Sequence, residues 1–467
     1  MRRVLAFSAV AAAGFASAQQ AANFNVSAED ARAHMCGDAC QANIKRQNQL
    51  DLMAVGANFD YGFYATALNF TSSKPGDVLK LEPLDPTQYS FKAGTSVWRL
   101  QYTSVDLDGQ PVPVTGFIAF PYTTPPGDDD VAYDDGSEEQ GTEPKPNRKF
   151  RLAAFAHGTI GVFPGCAPSN GPSLYDYDSW QPLVARGYAV VATDYAGLGN
   201  NYTMHKYCSF PAHAADVYYS VLAARSLFGA VLTPEWISIG HSQGGGTAWK
   251  LAESDFVRTD TAYLGTVALA PATYIIDMLL KRMDGVDHPN YLPYLTVGVE
   301  AANPQYHETL LSETLRRRIA MAKEAQLCTM AFMGLTADLR GNAKAIVSME
   351  GVKRDMSTLL AWQNSTAPAM GGRSEAPMLV VQGLNDTTVL PRTTIQAVES
   401  SCASGSEIHL SLYPGLEHSP LLQASEAEWM GWIDDLFAAG RLDSIGECSS
   451  NTKRVFNEDH VKLPGEE

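Results

Sequence analysis

The sequence predicts a mostly parallel α/β sheet with helices on both faces and an inserted helical cap. Three observations carry this. Apolar strand runs such as FRLAAFA and YAVVATD alternate with helix-patterned segments from Phe150 onward. The alternation stops at Pro271 and resumes only in APMLVVQGLND, after a stretch too long for an ordinary loop and mostly helical in pattern. At 467 residues, 45% of them apolar and 18% charged, the chain is long enough for one large core plus an insertion.

Taken in order, residues 1–18 (MRRVLAFSAVAAAGFASA) have two arginines, an apolar run and a final Ala16-Ser17-Ala18. That is the three-part pattern of a secretory signal peptide, so the mature chain is expected to begin near Gln19 and to be secreted. No later segment has the ~20 uninterrupted apolar residues that a membrane span requires. Residues 19–95 read as a polar N-terminal lead. Residues 96–271 are the first part of the core, opening with a hairpin of SVWRLQYTSVDL and PVPVTGFIAFPY that turns at Asp108-Gly109. An acidic, Pro- and Gly-rich loop follows at about 123–149. The strands FRLAAFAHG, YAVVATDYAG, WISIGHS and LGTVALAP come next, with the helix PAHAADVYYSVLAARSLFGA, which carries Pro211 in its first turn.

Residues 272–375, with YIIDMLLKRM and ETLLSETLRRRIAMAKEAQ, form the expected cap. Residues 376–448 complete the core through the strands PMLVVQG and EIHLSLY and the amphipathic helix ASEAEWMGWIDDLFAA, which ends at Gly440. Residues 449–467 are expected to be a mobile C-terminal tail.

A formal charge of −17 and an isoelectric point near 5.0 argue against nucleic acid or anionic membrane as partners. The seven cysteines include no paired CxxC motifs, so a metal site is not expected, and in a secreted chain they point to disulfides with at least one thiol left over. Asn-X-Ser/Thr sequences occur at Asn25, Asn69, Asn201, Asn364 and Asn385.

The stretch that carries chemistry is EWISIGHSQGGGTAW, residues 235–249. A serine hydroxyl attacks only when it stands clear of its scaffold beside a base and anion-stabilising N–H groups. Gly240 and Gly244 permit the tight strand-to-helix turn that would present Ser242 in this way. The acid should follow the serine and the histidine should come last. Asp386 closes the strand PMLVVQGLND at the C-terminal edge of the sheet, where ligands bind. Of the histidines beyond it, His409 sits within an alternating strand and His460 in the tail, which leaves His418, in GLEHSP, as the base. The backbone N–H of Gln243 is one expected oxyanion donor, and that of Thr159 or Gly158, in the loop after FRLAAFA, is the second. His241, beside the nucleophile, reads as a packing residue.

With HGTIGVFPGCAPSN, LVARGYAVVATDYAGLGN, GHSQGGGTAW, GLNDTTV and GLEHSP in this order, the chain resembles the secretory lipases of the lipase A type, within the α/β-hydrolases. The resemblance spans about Phe150 to Cys448. It implies a Ser242-Asp386-His418 triad beneath a helical cap. It also implies the disulfides Cys166–Cys328 and Cys402–Cys448; proximity suggests Cys36–Cys40, which leaves Cys208 unpaired. Two departures from the yeast form are His241 and Gln243 in the elbow and His157-Gly158-Thr159 at the oxyanion strand. They bear on long-chain specificity more than on hydrolysis.

The expectation is a secreted, cofactor-free serine hydrolase of carboxylic esters, acting on small-molecule or lipid esters, including at a lipid–water interface. The competing readings are an esterase for short acyl, aryl or plant-wall esters, an aminopeptidase on the same fold, and an inactive binding module. The last predicts a broken triad.

Overall fold

The computed structural model describes residues 25–125, 149–283, 291–442 and 445–457. The expected signal peptide, most of the acidic loop and His460 lie outside them. In chain order the main elements are α1 (Asp38–Val55), β1 (Val78–Pro83), β2 (Ser96–Val105), β3 (Pro111–Phe120), β4 (Phe150–Ala156), β5 (Ala189–Thr193), α2 (Phe210–Phe228), β6 (Leu232–His241), α3 (Gln243–Ala252) and β7 (Tyr263–Leu269). Five helices then build the cap: α4 (Ile275–Met283), α5 (Leu292–Ala302), α6 (Glu313–Glu324), α7 (Thr329–Met333) and α8 (Met349–Thr366). The core resumes with β8 (Met378–Gly383), α9 (Pro391–Ala403), β9 (Ile408–Tyr413), α10 (Glu426–Ala439) and β10 (Ser449–Thr452).

The strands form one ten-stranded sheet in the order β1-β2-β3-β5-β4-β6-β7-β8-β9-β10. The first three are antiparallel, with β2 and β3 paired along all ten residues around the Asp108-Gly109 turn. Every other pairing is parallel. The central parallel strands are buried along their whole length because helices cover both faces. Successive residues feed opposite cores. Leu152, Ala154 and Ala156 of β4 join Val217 and Val221 of α2, while Ala153 and Phe155 join Trp429 and Ile433 of α10.

Two segments depart from their sequence-based description. The expected mobile tail supplies the edge strand β10, parallel to β9 from Ser449↔His409 to Thr452↔Leu412. All four of its residues are exposed, so no apolar pattern announces it. Its position follows from the Cys402–Cys448 bridge and the ion pair of Lys453 with Glu428 at 2.6 Å. The polar lead contains α1, which buries Cys40, Ile44 and Val55 and packs on α7 of the cap. Asp51 of α1 caps α7, accepting from the N–H groups of Met330 at 2.9 Å and Ala331 at 2.8 Å. The disulfides are Cys36–Cys40, Cys166–Cys328 and Cys402–Cys448, and Cys208 is free and buried.

Candidate functional site

Strand β6 runs into α3 through Ser242, whose backbone has φ +58° and ψ −119°. A residue with a side chain adopts that conformation only where its surroundings impose it. Here the Ser242 N–H donates to Leu269 O at 3.0 Å, and its carbonyl accepts from Ala272 N at 2.9 Å and Gly246 N at 3.1 Å. The turn also needs glycine. A Cβ at Gly240 would stand 2.1 Å from Gly244 O, and one at Gly244 would stand 1.8 Å from Ala156 O. Helix α3 therefore starts in contact with the end of β4, which carries the His157-Gly158-Thr159 loop.

Asp386 follows β8 and is buried. Its Oδ1 accepts from the N–H groups of Thr388 and Val389, both at 2.8 Å, and its Oδ2 accepts from Gln382 Nε2 at 3.1 Å. The same Oδ2 stands 2.7 Å from Nδ1 of His418, in the loop after β9. A carboxylate so placed holds the imidazole with its proton on Nδ1 and leaves Nε2 as the basic nitrogen. Among the described residues, the Ser242 hydroxyl makes no hydrogen bond. Contacts of this kind commonly tighten only when substrate is bound. All three residues lie at the C-terminal edge of the sheet.

The N–H of Gln243, the first residue of α3, has no partner among the described residues, and neither does that of Thr159. The N–H of Gly158 differs from both, because it donates to the Tyr177 hydroxyl at 2.9 Å. Of the two candidates in this loop, Gly158 is thus occupied and Thr159 is open. Tyr175 and Thr329 donate to the Thr159 carbonyl at 2.7 and 3.0 Å, and the Thr159 and Tyr207 hydroxyls meet at 2.8 Å. Sequence reasoning missed these three tyrosines and Thr329, because contacts across such separations leave no local signal.

Behind the elbow lies a column of buried rings, His157, Tyr195, His213 and His205, with neighbouring centroids 4.3 to 5.0 Å apart. Burial pushes the pKa of His157 down to about 4 and that of His205 to about 3, so both rings are neutral near pH 7. The ring nitrogen His205 Nε2 stands 3.2 Å from the Gln243 amide nitrogen, while its Nδ1 is 3.0 Å from Ala196 O. That pairing orients the first residue of α3 from its side chain.

A cavity of about 60 Å³ opens at Ser242, walled by Ile275, Met278, Leu279, Leu292 and Leu295 of α4 and α5, with Tyr207. Among the described residues, no charged side chain lines it. A separate cavity of about 720 Å³ lies between the 162–165 loop and the cap, and Glu300 and Glu308 line it. Burial and the neighbouring Glu300 push the pKa of Glu308 up to about 7. Among the described residues, no group of three or more His, Cys, Asp or Glu could hold a metal ion. No described helix is long and apolar enough to cross a membrane.

No curated protein sequence matches the chain. The closed state of Candida antarctica lipase A superposes with a TM-score of 0.62 at 14% identity, over 84% of this chain and 89% of the lipase. A rice cell wall degrading esterase, LipA from Xanthomonas oryzae, superposes with a TM-score of 0.59 at 18% identity, over 79% of this chain and all of the esterase. Identities this low speak to fold alone, and the fold is that of the α/β-hydrolases. A family model described as serine aminopeptidase, S33, matches residues 173–424, more than half of the chain and the span that includes Ser242, Asp386 and His418. The chain belongs to that hydrolase family.

Proposed function

We propose that the protein is a secreted serine hydrolase that cleaves carboxylic esters through an acyl-enzyme, with Ser242, Asp386 and His418 as its triad. The observation that carries this reading is the 2.7 Å contact between His418 and buried Asp386 at the sheet edge that also presents Ser242 on a strained elbow. In the reaction, Nε2 of His418 takes the Ser242 proton as the hydroxyl attacks the ester carbonyl. Asp386 holds the resulting imidazolium, and the N–H groups of Gln243 and Thr159 receive the oxyanion. His418 then protonates the departing alcohol, and water repeats the sequence to release the acid. No step calls for a metal or an organic cofactor. Three disulfides accord with an oxidising compartment.

The cavity at Ser242, whose described lining is mostly apolar and carries no charge, favours an apolar acyl group. Its 60 Å³ holds only a few heavy atoms, which favours short acyl chains in this state of the cap. The resemblance to lipases points instead to longer chains, and the family description points to peptides. A peptide with a free amino terminus needs a carboxylate near the serine, yet the paired Glu300 and Glu308 line the other cavity.

Turnover of p-nitrophenyl esters from acetate to palmitate, measured beside aminoacyl p-nitroanilides, separates the three readings. A maximum at acetate or butyrate selects the short-chain esterase, and activity on emulsified triglyceride selects the lipase. Anilide turnover exceeding that of the best ester overturns ester hydrolysis. Fluorophosphonate labelling that survives Ser242→Ala overturns the nucleophile.

A further inference from the structure

His241 does more than fill space. Its ring is 3% exposed, yet both nitrogens have polar partners. Nε2 stands 3.3 Å from the carbonyl oxygen of His418 and Nδ1 stands 3.3 Å from the hydroxyl of Tyr177. A carbonyl oxygen only accepts, so the proton of this ring belongs on Nε2 and Nδ1 is left as an acceptor. Tyr177 completes the pattern. Its oxygen already accepts from the Gly158 N–H at 2.9 Å, so its own proton is free to donate to Nδ1. One continuous chain of donors runs from the loop of Thr159, through Tyr177 and His241, to the backbone of His418. The imidazoles of His241 and His418 also lie against each other, with centroids 4.5 Å apart.

We propose that His241 is a positioning residue, a tie that fixes the backbone of His418 relative to the oxyanion loop. The proposal rests on the triad reading above and extends it to a residue that neither the triad nor the oxyanion hole requires. His241 does not act as a second base, because both of its nitrogens are committed. Burial and the adjacent His418 hold its pKa well below the ordinary histidine value, so the ring stays neutral and keeps this donor pattern near neutral pH. What it sets is distance. The loops of His418 and Thr159 come from β9 and β4, which are not neighbours in the sheet, and His241 at the end of β6 bridges them.

A purely structural role and a positioning role predict different results from three substitutions. His241→Phe fills the space without either polar atom. His241→Asn keeps an atom near Nδ1 but loses the donor to His418, whereas His241→Gln places an amide N–H near Nε2. With p-nitrophenyl butyrate as substrate and active sites counted by fluorophosphonate labelling, Phe and Asn should each lower kcat by about tenfold. That is the effect of one net hydrogen bond. KM should stay within about twofold, and Gln, which restores the donor to His418 but not the acceptor for Tyr177, should recover only part of the lost kcat. Unchanged kcat in His241→Phe, or Gln no better than Asn, overturns the proposal. Ser242→Ala, measured alongside, keeps the two readings apart. Turnover surviving in Ser242→Ala sinks the triad itself, whereas an inactive Ser242→Ala with a normal His241→Phe sinks only the tie. Should the His241 variants fail to fold, Tyr177→Phe cuts the same chain one residue away. A kcat equal to wild type in that variant refutes the tie, and a loss confined to kcat supports it.

Discussion

Gly244→Ala tests how closely the elbow and the oxyanion loop are built together. The added Cβ would lie 1.8 Å from Ala156 O, 2.4 Å from Ala156 C and 2.8 Å from His157 O. All three are backbone atoms, so no side chain can swing aside. Ordinary contact begins at 3.4 Å, so α3 and the end of β4 must separate by about 1.6 Å. Overpacking of this kind costs about 1–3 kcal/mol, and a rigid backbone neighbour argues for the upper end. The functional effect should be larger than the loss of stability. The proposed oxyanion donors sit on the two sides of that contact, Gln243 on α3 and Thr159 beyond β4, and a 1 Å misplacement alone can cost about 10²-fold in rate. The assay is kcat on p-nitrophenyl butyrate with circular-dichroism melting on the same samples. Gly431→Ala on α10 is the control, since a Cβ there meets nothing within 4 Å and its helix should gain up to about 1 kcal/mol. If Gly244→Ala folds and keeps kcat within threefold of wild type, the reasoning from backbone contact to oxyanion geometry is refuted.

Asp386→Asn should lower kcat by about 10⁴-fold while leaving the fold intact, because an amide supports the wrong tautomer of His418; a loss below tenfold in steady-state kinetics counts against the triad. Asp51 should make stability depend on pH. Burial holds its carboxyl up at about 6 against an ordinary 3.8, so the folded chain binds that proton more tightly than the unfolded one. The contribution is complete below the unfolded value and is lost as pH rises through about 6. Urea melts at pH 4.5 and 7.5 should show wild type losing about 2 kcal/mol relative to Asp51→Asn, and a wild type that instead gains stability relative to Asp51→Asn as pH rises contradicts the assignment. Replacing Cys166 and Cys328 by serine opens a link between residues 162 apart. The double variant should lose roughly 4 kcal/mol in denaturant melts, together with part of its kcat, and a change in neither would show the bridge to be dispensable.

The central parallel strands were legible because they are apolar along most of their length and bounded by turn residues, as in AVVAT of β5 and MLVVQG of β8. The order Ser242, Asp386, His418 was legible because each stands just beyond such a strand. The edges were not. Nothing in SSNT marks β10, whose place depends on pairing with β9 across some forty residues. Helix α1 was hidden for a different reason. Asn48 and Asp51 are buried within it, and Asp51 is buried because it caps a helix some 280 residues later, so polar residues stand where an apolar stripe should run. His241 looked like packing for the same reason that Tyr177 went unnoticed. A ring becomes a tie only once its partners, 64 residues before it and 177 after, are in place.

The same non-local contacts decide what the cap can do. The loop that carries the proposed oxyanion donor Thr159 is held in part by the cap rather than by the sheet. Thr329, the first residue of α7, donates its N–H to Ile160 O at 2.8 Å and its hydroxyl to Thr159 O at 3.0 Å, and the adjacent Cys328 is bonded to Cys166. Tyr294 of α5 donates to the carbonyl of Thr329 at 2.7 Å, and Asp51 grips the N-terminus of α7 from below. Moving α7 away from the core would therefore drag the backbone of Thr159 with it and break the proposed oxyanion site. Helices α4 and α5 instead present apolar side chains to the cavity at Ser242, where the proposed acyl group would sit. The cap thus has two parts with opposite demands. If the proposed oxyanion site operates, the part around α7 must be rigid and the side chains around α4 would select the acyl group, so substitutions at Met278 and Leu279 should change the acyl-chain profile on p-nitrophenyl esters at little expense to kcat, whereas those at Thr329 should lower kcat and leave the profile unchanged.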